Sequence, residues 1–383
     1  MHSDLLLVIV VAAALAFDFT NGFHDTANVV ASSISTGAMA PRSAVALASV
    51  LNFAGALISL KVAATVATGI VAAGRVTETI AFAGLIGAIC WNLITWAYGL
   101  PSSSSHALIG GVVGAMLAAL GGAGVKLGGL LTKVVVPALV APLAALVVAA
   151  VAIFAIIALA GRRRPGPVSR AFRAGQVLSG SLLALSHGTN DAQKTMGVIS
   201  LALLAHGDLS ARHFHVPTWV VLCAATAMAL GTYAGGWRII RTVGTRIIKM
   251  NPAQGFAAEC AGAIVTLVSS RFGYPLSTTQ VIAGGVVGAG AAKRLSAVRW
   301  GVAGNIVAAW VLTLPVTALL GAGTYWLADA FGSGALGPLL ISVVAIGSVV
   351  ALASRRGRLG GRAGAAAARR ERGRSTLHEA TTP

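Results

Sequence analysis

Two polar stretches interrupt an otherwise apolar chain, and the residue types in them suit ions. The first, Asn21 to Asn28, carries Asn21, Asp25 and Asn28; the second, His187 to Lys194, carries Asn190, Asp191 and Lys194. Carboxylate and amide oxygens grouped in this way match Na+ coordination or a protonated relay, so these five Asp and Asn residues are the candidate cation ligands. Interhelical hydrogen bonding is the plainer use of the Asn residues. Lys194 is placed to touch an anion or to counter Asp191, unless it snorkels to an interface.

Two further stretches, Pro101 to His106 and Pro275 to Gln280, set hydroxyls directly ahead of Gly-rich helical runs. They hold Ser102, Ser103, Ser104 and Ser105 in one case and Ser277, Thr278 and Thr279 in the other. Hydroxyls and unpaired N–H groups at a helix N-terminus form a seat for a small oxyanion. A helix cap needs only one Ser, and both runs exceed that. His106 and Gln280, which end the two runs, are candidates for a relay or for one more donor to the anion. Of ten acidic residues, only Asp18, Asp25, Asp191 and Glu259 fall in apolar segments. Each costs about 2.5–3.5 kcal/mol there unless it faces a cavity or a partner. Asp25 and Asp191 carry the stronger signal because both sit beside Gly at matching positions. Glu259 lies near the mouth of a hairpin, where water would solvate it.

The elements that must position these groups are membrane helices. The chain has 383 residues, 56% hydrophobic and 10% charged, against about 25% charged in a soluble domain. Apolar runs of roughly 20 residues, enough to cross about 30 Å of hydrocarbon, recur along nearly the whole length. β-alternation is absent, so helices satisfy the backbone. The net charge of +18 is clustered: five basic residues lie between Arg162 and Arg173 and eight between Arg355 and Arg374. Both clusters flank apolar segments, which marks a cytoplasmic side; no compact basic domain with interleaved aromatics is present, so nucleic acid is not an expected partner. Cys90, Cys223 and Cys260 are isolated and read as inert core thiols.

The chain also repeats itself. "NGFHDTANVVA" from Asn21 aligns with "HGTNDAQKTMG" from His187, pairing Asp25 with Asp191; "PSSSSHALIGGVVGA" from Pro101 aligns with "PLSTTQVIAGGVVGA" from Pro275. The two offsets agree within a small loop insertion, so the chain is a duplicated unit. The expected units are a first repeat over 1–161 with a hairpin around 80–121, a basic linker at 162–173, a second repeat over 174–353 with a hairpin around 256–292, and a basic, disordered tail at 354–383. If each hairpin enters and leaves on one side, the first unit crosses three times, and the second must be inverted. Helices broken at Asn21 and at His187 would then meet at the midplane, with the N-terminus outside and the tail in the cytoplasm.

At these residues the sequence resembles the inorganic phosphate transporter (PiT) family. "GFHDTANVVASSISTGAMAPRSAVALASVLNFAGA" and "ALSHGTNDAQKTMG" are similar to its two signature regions, as is "AAWVLTLPV" near the C-terminus. The resemblance implies an all-α polytopic fold of two inverted repeats with two re-entrant hairpins, in the plasma membrane, and symport of phosphate with H+ or Na+. It also implies phosphate contacts from Ser103, Ser104, Ser105, Ser277, Thr278 and Thr279, and cation coupling by Asp25, Asn28, Asn190 and Asp191. No cofactor is implied. The residue types suit Na+ and H+ equally; the resemblance favours H+. Whether a divalent metal travels with the phosphate is open, and a homodimer is common among such transporters. The short link between the halves resembles the bacterial, low-affinity members.

Two rival readings stand beside it. A sulfate permease would use the same fold. A membrane-embedded lipid pyrophosphate phosphatase would want an Arg and a Glu next to the Ser cluster, and Arg271 is the only Arg near a tip. A passive anion channel is disfavoured, because intramembrane Asp residues repel the anion.

Overall fold

The computed structural model describes residues 4–210, 214–332 and 334–348; their regular structure is helical, apart from one isolated bridge between Val71 and Val125. The expected basic tail lies outside the described residues. In order, the first half contains α1 (Asp4–Ser35), α2 (Pro41–Ala56), α3 (Lys61–Ala64), α4 (Glu78–Tyr98), α5 (Ser104–Leu120), α6 (Leu127–Leu130) and α7 (Val136–Ala160). The second contains α8 (Pro165–His206), α9 (Thr218–Ala234), α10 (Trp237–Arg241), α11 (Pro252–Arg271), α12 (Thr278–Ala291), α13 (Trp300–Asp329) and α14 (Leu336–Ser348). Each half therefore runs through a long helix, a bent pair, a helical hairpin and a second long helix. Among the described residues, five helices are long and apolar enough to cross a membrane, or up to seven if each bent pair is one span.

The breaks fall elsewhere than the polar stretches suggested. Both α1 and α8 run unbroken through Asn21–Asn28 and His187–Lys194. Helix breaks occur instead between α2 and α3, bent by 65°, and between α9 and α10, bent by 59°. The physical reason lies in spacing. Asp18, Asn21, Asp25, Asn28 and Ser32 recur three and four residues apart, so they form one stripe on an intact helix. Gln176, Ser179, His187, Asn190 and Lys194 share one stripe of α8 at steps of three, eight, three and four, with Leu183 filling the intervening position, and all of these are buried.

Local sequence explains where the hairpin helices begin and turn. Thr77 accepts a bond from Ile80 N at the start of α4, and Asn251 forms a reciprocal capping box with Gln254 ahead of Pro252 at the start of α11. Ser103 and Ser277 cap α5 and α12 by accepting from His106 N and Gln280 N. The tips turn through Gly99 (φ 66°) and Gly273 (φ 74°), a region that favours glycine. Each tip is held by the bent pair of the other half. Lys61 Nζ donates to Arg271 O at 3.2 Å, and Arg238 donates to Ala97 O at 2.7 Å.

The long helices cross over between halves. Helix α7 packs on α11 and α12, and α13 packs on α4 and α5. A side chain at Gly284 would strike Pro142 O of α7, and one at Gly110 would strike Leu314 O of α13, so both glycines permit that close packing. At one end of the bundle His206 meets Asp4 and Glu78. At the other, Arg173 Nε donates to Thr36 O and Arg299 Nη1 to Thr245 O, alongside Arg162–Arg164, Arg246 and Lys293; this is the basic end. Cys223 is exposed and Cys90 and Cys260 are half-buried, so none of the three is a core thiol.

Candidate functional site

The two hairpin tips meet in the middle of the bundle, against the polar stripes of α1 and α8. Ser105 Oγ on the first tip donates to Leu276 O on the second at 2.9 Å, and Gln280 lies 3.4 Å from His106. The four helix-start residues Ser104, Ser105, Thr278 and Thr279 are all at most 2% exposed. Two helix N-termini, of 17 and 14 residues, therefore aim their positive ends at one volume.

Carboxylates of both long helices border that volume. Ser104 Oγ donates to Asp25 Oδ2 at 2.6 Å, and Thr279 Oγ1 to Asp25 Oδ1 at 3.3 Å. His24 Nδ1 lies 2.8 Å from Asp25 Oδ1, while Asn28 Nδ2 donates to Thr279 Oγ1 at 2.8 Å. On the other side Lys194 Nζ donates to Asp191 Oδ1 at 2.8 Å, to Leu276 O at 2.7 Å and to Ser105 Oγ. Asn190 Nδ2 donates to Ser270 Oγ and to Tyr274 O in the second tip. Asp25, His187 and Asp191 offer ligand atoms within 4.8 Å of one another, a set that could hold a metal ion.

The structure thus brings Asp25, Asn28, Asp191, Lys194, Ser104, Ser105 and Thr279 into one network. Ser103 and Ser277 are occupied as caps. Ser102 bonds Thr95 Oγ1 at 2.8 Å, within 3.4 Å of His24 Nε2, one layer behind the tip. The hydroxyl of Thr278, Oδ1 of Asn21 and Oδ1 of Asn190 are buried without a hydrogen-bond partner.

Several participants carried no functional role in the sequence reading. His24 and His187 orient or face the two carboxylates, and His187 Nδ1 lies 3.1 Å from Asn52 Oδ1. Glu259 is not solvated at a hairpin mouth: it is 1% exposed and accepts from Ser32, Ser33 and Gln176 on Oε1 and from Ser179 on Oε2. The same three-and-four spacing that makes α1 and α8 continuous would have found Ser32, Gln176 and Ser179. Arg271 is exposed and stays out of the site.

Known proteins resemble the chain along most of its length. A model of the "Phosphate transporter family" matches residues 21–167 and 160–321. A Mycobacterium tuberculosis protein described as a "Probable low-affinity inorganic phosphate transporter" is 55% identical over 327 residues, covering 85% of this chain and 78% of its own. Proteins of the same description from Rhizobium meliloti and Bacillus subtilis are 49% and 42% identical, each matched over 97% of its own length and over 85% and 84% of this chain. A solved structure titled "The sodium-dependent phosphate transporter" superposes with a TM-score of 0.76 at 25% identity, over 84% of this chain and 98% of that one. Serine-rich tips, paired aspartates and two matching halves thus coincide with an independent match over most of the chain, which belongs to the phosphate transporter family.

Proposed function

We propose that the protein imports inorganic phosphate across the cytoplasmic membrane in symport with H+ or Na+, by alternating access around the two tips. The observation that carries the coupling is that the groups suited to hold phosphate are engaged by carboxylates. Ser104 donates to Asp25, and Lys194 donates to Asp191. An arriving phosphate would draw these donors away, leaving Asp191 without its ammonium partner and Asp25 with contacts on Oδ1 alone, and an under-compensated carboxylate in a buried site costs several kcal/mol. A cation at the carboxylates offsets that cost and releases the donors. Anion and cation therefore favour each other's binding, which is the thermodynamic content of symport.

The carboxylates also favour phosphate over sulfate. Near neutral pH, phosphate retains a proton that a neighbouring carboxylate can accept; sulfate has none to offer and meets only repulsion. The phosphatase reading loses support because Arg271, the Arg it requires, is exposed. In the transport reading the halves are inverted repeats, as the shared order of elements supports, and the basic end is cytoplasmic by the positive-inside rule. Each hairpin would then open toward its own side, the first outward and the second inward.

The test is uptake of labelled phosphate into proteoliposomes under imposed Na+ or H+ gradients, with excess sulfate as competitor. Accumulation driven by one gradient and resistant to sulfate is the expected result. Asp191→Asn should lower it roughly 10–100-fold, the worth of one charged hydrogen bond at about 1.5–3 kcal/mol. Abolition by sulfate would move the protein to sulfate transport. Release of phosphate from a prenyl pyrophosphate, without uptake, would overturn transport altogether.

A further inference from the structure

Far from the tips, at the end opposite the basic one, α1, α8 and the start of α9 enclose a groove of about 590 Å3. Leu7, Val11 and Leu15 recur four apart and floor it with one stripe of α1, and Leu203 and Leu209 close it from the end of α8. At 1.5 Å per residue the stripe runs roughly 12 Å along a spanning helix, close to the roughly 15 Å of hydrocarbon in one leaflet. Trp219, in the first turn of α9, borders it half-exposed, the residue type that membrane proteins place where hydrocarbon meets water. The mouth is polar and acidic. Asp208 and His215 line it. Beside it His206 meets Glu78 at 2.6 Å and Asp4 at 3.3 Å, with Asp208 close enough to act on the imidazole electrostatically. Three of the ten acidic residues of a chain with net charge +18 thus gather around one histidine. In the register that pairs Asp25 with Asp191, exposed Asp4 and Asp208 correspond to exposed Arg170 and Arg42 at the basic end. The positive-inside rule accounts for those arginines, but it concerns Lys and Arg and leaves the acidic corner without a cause.

We infer that this groove seats one phospholipid with an ammonium headgroup, of the phosphatidylethanolamine class, in the leaflet opposite the basic end. One acyl chain lies along the α1 stripe, where it covers apolar side chains that no helix covers. The headgroup sits at the mouth with its ammonium at Asp208. A primary ammonium is compact and has three hydrogens to donate, which suits a corner rich in carboxylates. An anionic headgroup such as phosphatidylglycerol meets Asp4, Glu78 and Asp208 with like charge. The groove joins α1 of the first half to α8 and α9 of the second, so the lipid ties the two halves together at this end. None of this depends on what the protein transports.

The experiment reconstitutes the full-length protein into vesicles of equal phosphatidylethanolamine and phosphatidylglycerol, re-extracts it in mild detergent and identifies the retained lipid by native mass spectrometry. One phosphatidylethanolamine per chain is expected, favoured over phosphatidylglycerol by roughly fivefold, the size of one ion pair partly screened by water. Asp208→Asn, at an exposed position, should bring the two lipids close to equality at an unchanged unfolding temperature, and Asp208→Lys should favour phosphatidylglycerol. Ala12→Phe, which fills the floor of the groove, should remove retained lipid of both kinds from protein that still elutes as the wild type does. Equal retention of the two lipids by the wild type, or a preference for phosphatidylglycerol, would overturn the inference. So would an Asp208→Lys variant that keeps the wild-type preference. A mass of two chains that falls to one in Ala12→Phe, with no lipid retained by the wild type, would overturn it in favour of a second copy of the chain as the occupant.

Discussion

At the basic end, the second hairpin is fastened to α1 and α8 through Glu259, which gathers hydroxyls from Ser32, Ser33 and Ser179 and the amide of Gln176 at 2.5–3.3 Å. At the opposite end, the first hairpin meets the same two helices at the matching positions of the repeat: Leu85 for Glu259, Val198 and Ile199 for Ser32 and Ser33, Val10 and Ala13 for Gln176 and Ser179. All five belong to or pack on one apolar cluster, and Leu85, Val10, Val198 and Ile199 are 0% exposed. At these matched positions the scaffold is closed by hydrogen bonds on one side and by hydrocarbon on the other, where the polar contacts of Glu78 and Asp4 with His206 sit at the helix ends. Water can replace hydroxyl-to-carboxylate bonds at little net cost, whereas it wets a packed apolar cluster only against the hydrophobic effect. The basic end is therefore the side built to hydrate and part easily, and the opposite end the side built to seal.

The sharpest way to break this contrast is to exchange the central residues. Leu85→Glu places a carboxylate in the apolar cluster that also holds Val10, Val198 and Ile199. A buried, unpaired charge of this kind costs roughly 3–5 kcal/mol, a large share of the stability of most proteins. Little folded protein should survive extraction, as size-exclusion profiles and unfolding temperature would register. A variant as stable as the wild type would mean that water already reaches that end. The reverse change, Glu259→Leu, is milder. It strands three hydroxyls and an amide, but Ser side chains in a helix can turn back to the carbonyl four residues before, so about 1–3 kcal/mol is expected. Phosphate uptake should nevertheless fall by tenfold or more, because the basic end would now be sealed like its counterpart. Unchanged uptake would remove Glu259 from any gating role.

Parts of this arrangement are legible in the sequence, for physical reasons that differ from residue to residue. Runs of hydroxyls before a Gly-rich helix have one strong use, so Ser104, Ser105 and Thr279 could be placed at converging tips without coordinates. Asp25 and Asp191 stood out because the repeat puts them in register. The polar stripes were harder: Asn21 to Asn28 in hydrocarbon suits either a broken helix or an intact one facing a polar seam. Only the three-and-four spacing decides in favour of the seam. The true breaks are unequal in this respect. Gly235–Gly236 is a visible interruption between α9 and α10, whereas Leu57–Leu60, with neither Gly nor Pro, carries no such signal for its bend. The environment of Glu259 was hidden because its donors come from α1 and α8, elements far from its own hairpin in the chain.

The smallest expected effects test whether Glu259 is held as an evenly shared cage or by one indispensable bond. Oε1 accepts from three groups, so Ser33→Ala leaves it two donors, from Ser32 and Gln176. Its cost should stay below about 1 kcal/mol, the net worth of one hydrogen bond among several. Oε2 accepts from Ser179 alone among the bonds described, at 2.5 Å. Ser179→Ala therefore orphans a buried carboxylate oxygen and should cost about 1–3 kcal/mol, read as a clearly larger drop in unfolding temperature than for Ser33→Ala. Equal shifts would show that the carboxylate rotates to share its donors, which is how a gate prepared to hydrate would behave. Unequal shifts would make Ser179, on α8, the bond that must break first as the second hairpin moves. The matching change at the sealed end, Ala13→Ser, adds a hydroxyl that can bond its own helix, and it should move the unfolding temperature least of all.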